Sequence, residues 1–446
     1  MRVTTGQLTP LRRPGFRNLF FATLGSSVGT LLAAVALAID VKDRTSSSPH
    51  SGLWVGAVLV VEFLPTILVG LLLGPLLDRL ERRSLMIAAD ALRVGVFVAL
   101  PFAPNAATVV GLAAVAGLAT GFFRPAVYAG VPNLVPEEEL PVANALLQTV
   151  ENLSWAIGPV LGGVLTAAAG PSAAYWINAV SFVVSIALIA RIPPRLLQSE
   201  RALSRGHWRD LGDGFTAALR SPSMRAVLVA WGIASFGVGG AQVSTIFLAK
   251  DTLSAGDWGY GLLYGATGGG LVLGSFASAA VLARYGLATV YGGSLALMAV
   301  AYLSAAASPD IWVAAVCCAV LGVGNGAAVA CNALLVQRGT FDFLRGRALT
   351  FVMSATYLLL GIGIGLGGLL LQPAGARWLW AAAGATLFVA ALAGWLLAHR
   401  LAGENELGQP ERTFSRLAAS VARREEVKEP RPSESIISDG LRALQR

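Results

Sequence analysis

Between residues 17 and 399 the chain divides into one apolar stretch after another, each about 20 residues long, enough for a helix to cross roughly 30 Å of hydrocarbon. Twelve such stretches run at 17–40, 53–77, 85–104, 106–124, 143–168, 173–191, 224–249, 258–283, 287–307, 311–336, 348–371 and 378–399. With 55% hydrophobic and 13% charged residues, 446 residues hold too few polar groups to cover a water-soluble globule. The sequence therefore predicts an all-α membrane protein of twelve transmembrane helices.

A sequence pI near 9.8 would suit a nucleic-acid binder, but the positions of the positive charges exclude that reading. Of the 33 Lys and Arg, 28 fall in the termini and alternate loops; Lys42, Arg44, Lys250 and Arg377 lie on the opposite side and Arg93 lies inside a span. Positive charge collects on the cytoplasmic side of membrane proteins, so both termini are expected in the cytoplasm. The basic amino terminus, MRVTTGQLTPLRRPGF, leads directly into the first span and reads as a retained helix, not a removed signal. Cys317, Cys318 and Cys331 all fall in the tenth span, without disulfide or metal-site spacing, and read as small packing residues.

Sliding the chain against itself by 205 residues superposes seven pairs of glycines, among them Gly56 on Gly261, Gly158 on Gly363, Gly162 on Gly367 and Gly163 on Gly368. "IGPVLGG" at 157–163 then overlies "IGIGLGG" at 362–368. Two six-helix halves follow, at 1–191 and 224–400. An even number of spans per half makes the repeats parallel, an arrangement that places a substrate site between them near mid-membrane. Residues 192–223 are expected to form a cytoplasmic linker with an amphipathic helix carrying Trp208, Leu211, Phe215 and Leu219 on one face. Residues 401–446, rich in charge, Pro and Ser, read as a disordered tail.

"GPLLDRLERRSL" at 74–85 resembles the loop signature of the major facilitator superfamily, with Gly74, Asp78, Arg79, Arg82 and Arg83 at its positions and Glu81 where a second glycine is usual. "FRNLFFATLGSSVG", "GFFRPAVYAGVPNLVPEEELPVANALL", "IGPVLGG" and "LRGRAL" are similar to the bacterial branch of enterobactin-exporter-like and macrolide-efflux-like permeases. The resemblance runs from about residue 15 to 400. It implies the major facilitator fold, two pseudo-symmetric halves and secondary active transport across the bacterial plasma membrane.

From the resemblance, Gly74, Asp78, Arg79, Arg82 and Arg83, with Arg124 closing the fourth span on the same side, form a latch that holds the halves together on the cytoplasmic face and releases in the opposite state. A plainer reading has the arginines anchor topology and bind lipid phosphate. Gly158, Pro159, Gly162 and Gly163 resemble an exporter packing motif, although its earlier glycine is Ser154 here; small residues let helices approach closely and Pro159 permits a bend.

Ionisable side chains inside spans are costly and mark function. Asp90 and Arg93, three apart, read as a mutually neutralising structural pair. Glu151 and Glu62 remain as proton-coupling candidates. Glu151 shares a helical face with Asn144, Gln148, Asn152 and Trp155, a stripe that either lines an aqueous path or simply faces the headgroup zone. Helices one, four, seven and ten surround the cavity in the family, which nominates Ser26, Ser27, Thr30, Trp231, Gln242, Asn325 and Asn332 as lining.

The leading expectation is proton-coupled efflux of small amphipathic organic molecules, drug-like or siderophore-like. An uptake permease or lysophospholipid flippase uses the same scaffold, and a non-transporting scaffold or sensor is the alternative from another class. Catalysis is not expected: His50, His207 and His399 form no cluster, and no phosphate-binding GxxxxGK[ST] stretch exists. The expected partners are a small-molecule substrate, protons and membrane lipid, with no nucleic acid, cofactor or metal, the chain acting as a monomer.

Overall fold

The computed structural model describes residues 5–77, 80–197, 221–338 and 342–403. The described chain is helical, without strands, and we number its twelve long helices α1 (Pro14–Arg44), α2 (Ser51–Leu77), α3 (Arg82–Ala99), α4 (Ala106–Gly130), α5 (Leu140–Ala169), α6 (Pro171–Ala190), α7 (Pro222–Phe247), α8 (Gly256–Tyr285), α9 (Leu287–Ala306), α10 (Ile311–Arg338), α11 (Asp342–Ala374) and α12 (Ala376–Gly403). Eleven are long and apolar enough to span a membrane, and α2, at 27 residues, completes the set by length. The linker and tail predicted from sequence fall largely at 198–220 and 404–446, outside the described residues.

Local signals set the ends. Asn105 Oδ1 accepts from Thr108 N at 2.9 Å and caps α4; Asp310 Oδ1 accepts from Trp312 N at 2.8 Å and Val313 N at 3.0 Å and caps α10. Gly170 and Gly375 lie 205 residues apart, and each ends its helix (α5 and α11) at φ of 77° and 81°, a conformation that costs a side-chain-bearing residue energy.

Two helices outrun their predicted bounds by six residues. The sequence reading stopped the fourth span at Arg124, but α4 continues through Pro125 to Gly130. Proline removes a single donor, and Phe123, Ala126 and Val127 are buried, so packing carries the helix past it. Arg124 therefore lies inside α4 and not at its end. Likewise α11 begins at Asp342, six residues before the predicted start.

Within the first half α1 packs on α5 and α6, α2 on α4, and α3 on α4 and α6. The second half repeats every pairing: α7 on α11 and α12, α8 on α10, and α9 on α10 and α12. The main contacts between halves among the described residues are themselves a symmetric couple, α5 against α8 and α2 against α11. Inside the first half Arg93 binds Asp90, and both are buried. The guanidinium lies 4.4 Å from the ring centre of Phe123 and 4.3 Å from that of Phe182, so α3, α4 and α6 meet around one enclosed charge pair.

Candidate transport site and gates

The two halves meet along glycine seams that the duplicated motif builds twice. In α5, Gly158 and Gly162 face α1, where a Cβ on Gly158 would come within 2.8 Å of Leu31 Cβ and one on Gly162 would strike the Leu32 carbonyl. Gly163 faces the other way, where a Cβ would meet Gly261 Cα of α8 at 2.7 Å. In α11, Gly363 and Gly367 press on Phe236 and Gly240 of α7, while a Cβ on Gly368 would meet the Gly52 carbonyl of α2 at 2.8 Å. One motif thus serves two surfaces: two glycines hold a half together and the third joins the halves. Backbones this close leave no room for side chains between them.

Both seams lie toward the face that carries the α1–α2 and α7–α8 turns, termed here the far face; the terminal face is where α1 begins. Charge reinforces the seams there. Lys42 Nζ is 2.7 Å from Asp251 Oδ1, and Lys250 Nζ is 2.6 Å from Asp43 Oδ1 and 2.5 Å from Asp257 Oδ1. A Lys-Asp dipeptide at the end of α1 and another in the π-helical turn Leu248–Thr252 after α7 therefore exchange partners across the interface. The lysines are largely covered, with 9% and 15% of their side-chain surface exposed, while Asp251 and Asp43 are about half exposed. Behind this couple Arg44 donates to Asp40 and to the Ala103 carbonyl, both at 2.7 Å, and the Tyr175 hydroxyl donates to Asp40 at 2.9 Å, which binds the end of α1 to the α3–α4 turn and to α6. Sequence reading registered these lysines only as sparse far-side charges.

Below the seams lies a small cavity of about 30 Å³. Leu31, Ala34 and Val35 of α1, Leu59 and Glu62 of α2, Trp155 and Pro159 of α5, Gln242 of α7, and Tyr260 and Tyr264 of α8 line it. The two tyrosines pack edge to face with ring centres 5.1 Å apart. Among the described residues no hydrogen bond or ion pair reaches the Glu62 carboxyl. Other acidic groups within helices are engaged: Asp40 by Arg44, Asp90 by Arg93, and Glu151 by Arg124, with a second bond from the Tyr128 hydroxyl to Glu151 at 2.9 Å.

Of the nominated lining residues, Gln242 alone reaches this cavity. Ser26 is buried and donates to the Thr23 carbonyl at 3.2 Å, and Thr30 donates to the Ser26 carbonyl at 2.7 Å, so both turn back on their own helix. Ser27, Trp231, Asn325 and Asn332 are partly covered and lie outside it, with Asn332 Oδ1 unpartnered. Helices α2, α5 and α8 supply the wall expected from helices four and ten. The polar stripe of α5 climbs from exposed Asn144 and Gln148 past Glu151 and Asn152, with Gln148 Nε2 donating to Asn152 Oδ1 at 3.3 Å, and ends at Trp155 in the cavity wall.

On the terminal face, Arg82 donates to the carbonyls of Ala129 at 2.8 Å and Leu197 at 3.2 Å, and Arg83 to that of Ala190 at 2.6 Å. Cations at helix carboxyl ends are favourably placed. These bonds stay within the first half, joining α3 to the ends of α4 and α6. Asp78 and Arg79 lie outside the described residues, as does the side-chain environment of Gly74. Among the described residues the geometry is that of two helical bundles sealed on the far face above a cavity whose wall holds one unneutralised acid, Glu62.

A family model described as "transmembrane secretion effector" matches residues 5–425. The MFS-type transporter YkuC of Bacillus subtilis is 29% identical over 276 residues, which cover 58% of this chain and 63% of YkuC. The multidrug efflux pump Tap of Mycobacterium tuberculosis is 26% identical over 385 residues, covering 82% of this chain and 88% of the pump. Among solved structures, a bacterial homologue of the iron transporter ferroportin in an inward-facing state superposes with a TM-score of 0.69 at 18% identity, covering 87% of this chain and 99% of that one.

Proposed function

The chain belongs to the transmembrane secretion effector family of the major facilitator superfamily, a family of transporters and not of enzymes, and on that premise we propose that it is a proton-driven exporter of small amphipathic organic molecules. It works by alternating access as a monomer in a bacterial plasma membrane, with both termini cytoplasmic, so that the far face is external. The similarity to a multidrug efflux pump supports the direction and the substrate range. The observation that carries the reading is the central cavity with Glu62 in its wall and glycine seams above it. A carboxyl that meets no cation among the described residues changes charge without breaking an ion pair, whereas Glu151 would first have to leave Arg124. We therefore assign the coupling proton to Glu62 and give Glu151 the role of holding Arg124 on the path to the cavity. The contacts of Arg82 and Arg83 suit a terminal-face latch in its released state, which Asp78, Arg79 and Gly74 would help re-form when the far face opens.

Inverted membrane vesicles from a host lacking its own efflux pumps test this. An imposed pH gradient, acid inside, should drive uptake of amphipathic fluorescent probes by the parent chain, and Glu62→Gln should abolish the response while Glu151→Gln keeps a reduced one. A parent protein indifferent to the gradient would end the proton-driven reading.

A further inference from the structure

A second hollow, of about 190 Å³, opens between α2 and α11 below the contact of Gly52 with Gly368. Val60 and Leu64 of α2 face Leu358, Gly361, Ile362 and Ile364 of α11 across it, and Tyr357 is the one polar side chain in its wall. Leu358 and Ile362 also belong to a stripe with Leu366 and Leu370, spaced four apart and all exposed, as a helix side turned to lipid is. The hollow is therefore a side pocket of the lipid phase. An apolar cavity of about 150 Å³ takes a benzene, so this one has room for an apolar segment of roughly six carbons.

Its terminal end meets charge. Followed toward the terminal face, the hollow passes from Val60 and Ile364 to Leu64 and Tyr357, whose hydroxyl stands in the field of Arg124 and Glu151. That pair has bonding capacity to spare. Arg124 donates to Glu151 through Nη2, and the Tyr128 hydroxyl donates to the same carboxylate oxygen, Oε1. Among the described residues the remaining guanidinium N–H groups and Glu151 Oε2 make no bond, and 49% of the Arg124 side-chain surface is exposed. Donors and an acceptor thus stand side by side. A phosphate suits the donors, a primary ammonium suits the acceptor, and a headgroup carrying both leaves the site neutral. A purely anionic headgroup would be repelled by Glu151, and a quaternary ammonium has no N–H to give it.

We infer that the hollow binds one membrane phospholipid with a phosphate and primary-ammonium headgroup, one acyl chain lying between α2 and α11 and the headgroup on Arg124 and Glu151. Arg124 stands six residues before Gly130 at the end of α4, about 9 Å along the helix, so this lipid sits deeper than the leaflet around it. Bringing α2 and α11 together along the hollow expels the chain. The lipid therefore favours the arrangement in which the hollow exists. None of this depends on the coupling proton or on the cargo.

The test uses the full-length chain in bilayers of phosphatidylethanolamine, phosphatidylcholine and phosphatidylglycerol, with a trace of phosphatidylethanolamine bearing a diazirine in one acyl chain. Irradiation should label the peptides holding Leu64 and Leu358 at least tenfold above the one holding the exposed α12 residues Leu392 and Leu396. Added phosphatidylethanolamine should displace that label, and equal amounts of phosphatidylcholine or phosphatidylglycerol should not. Arg124→Gln should erase this headgroup preference. Gly361→Phe fills the hollow from a position where a Cβ meets nothing within 4 Å, and should lose the label while unfolding at the parent's temperature. Even labelling of α2, α11 and α12 would mean surrounding lipid only and would overturn the inference. Equal displacement by phosphatidylcholine from the parent, an unchanged preference in Arg124→Gln, or full labelling of Gly361→Phe would do the same.

Discussion

Lys42 at the end of α1 holds Asp251 beyond the end of α7 at 2.7 Å, and the neighbouring residues Asp43 and Lys250 return the bond at 2.6 Å. A reciprocal couple of this kind binds the two halves at one level of the membrane, on one face. Partly exposed ion pairs contribute modestly, up to about 1 kcal/mol each, so two pairs bias the far-face-closed state by about 1–2 kcal/mol, a factor of roughly 5–30 in population.

That bias is measurable. Spin labels at Ser47 and Ser254, in the α1–α2 and α7–α8 turns, should report a larger fraction of separated halves in Lys42→Asp than in the parent. Adding Asp251→Lys should restore the parent distribution. An unchanged distance distribution in Lys42→Asp would show that the seams alone keep the face shut.

Orientation follows from the charge split and has its own test. In a cysteine-free background, Ser47→Cys on the exposed far-face turn should react with a membrane-impermeant thiol reagent added to intact cells. Glu138→Cys, exposed on the terminal face, should react only after the membrane is breached. The opposite pattern would invert every inside and outside assignment.

The seams predict a specific intolerance of small additions. Gly163→Ala places a methyl 2.7 Å from Gly261 Cα, and Gly368→Ala places one 2.8 Å from the Gly52 carbonyl. Backbone cannot retreat as a side chain does, so either change should hold the far face ajar and cut transport at least tenfold while the protein still inserts. Gly95→Ala, with nothing within 4 Å of the added carbon, should transport normally. Parent-like rates in Gly163→Ala would mean that the seam is not closed during turnover.

Burial makes Asp90 and Arg93 interdependent. Removing one partner strands the other charge in a dry site, a loss of about 3–5 kcal/mol. Thermal unfolding in detergent should therefore show Asp90→Ala and Arg93→Leu each strongly destabilised, and the double variant more stable than either. Additive losses would show that the two side chains act independently.

Much of this was legible in advance. Apolar length alone placed all twelve helices to within six residues at either end, because hydrocarbon thickness dictates where a chain must stay uncharged. The 205-residue repeat gave the glycines that proved to be the seams, Gly163 and Gly368 facing Gly261 and Gly52. The ion-pair couple escaped because α1 and α7 match at a different shift: Pro14 with Pro222, Arg17 with Arg225 and Lys42 with Lys250 all stand 208 apart. Three residues separate the two shifts, the difference between the six-residue turn at 45–50 and the three-residue turn at 253–255. Tyr260 and Tyr264 escaped for another reason. Their nearness to Glu62 comes from two helices in different halves, and no spacing along one helix encodes it.

Glycine-on-glycine contact also bears on speed. Surfaces without protruding side chains part with little friction, since no rotamer has to change and no knob has to leave a hole. The resistance to opening then resides in the lysine–aspartate couple, whose half-exposed carboxylates feel dissolved salt. On the alternating-access reading, rising ionic strength at that face should therefore favour the open state.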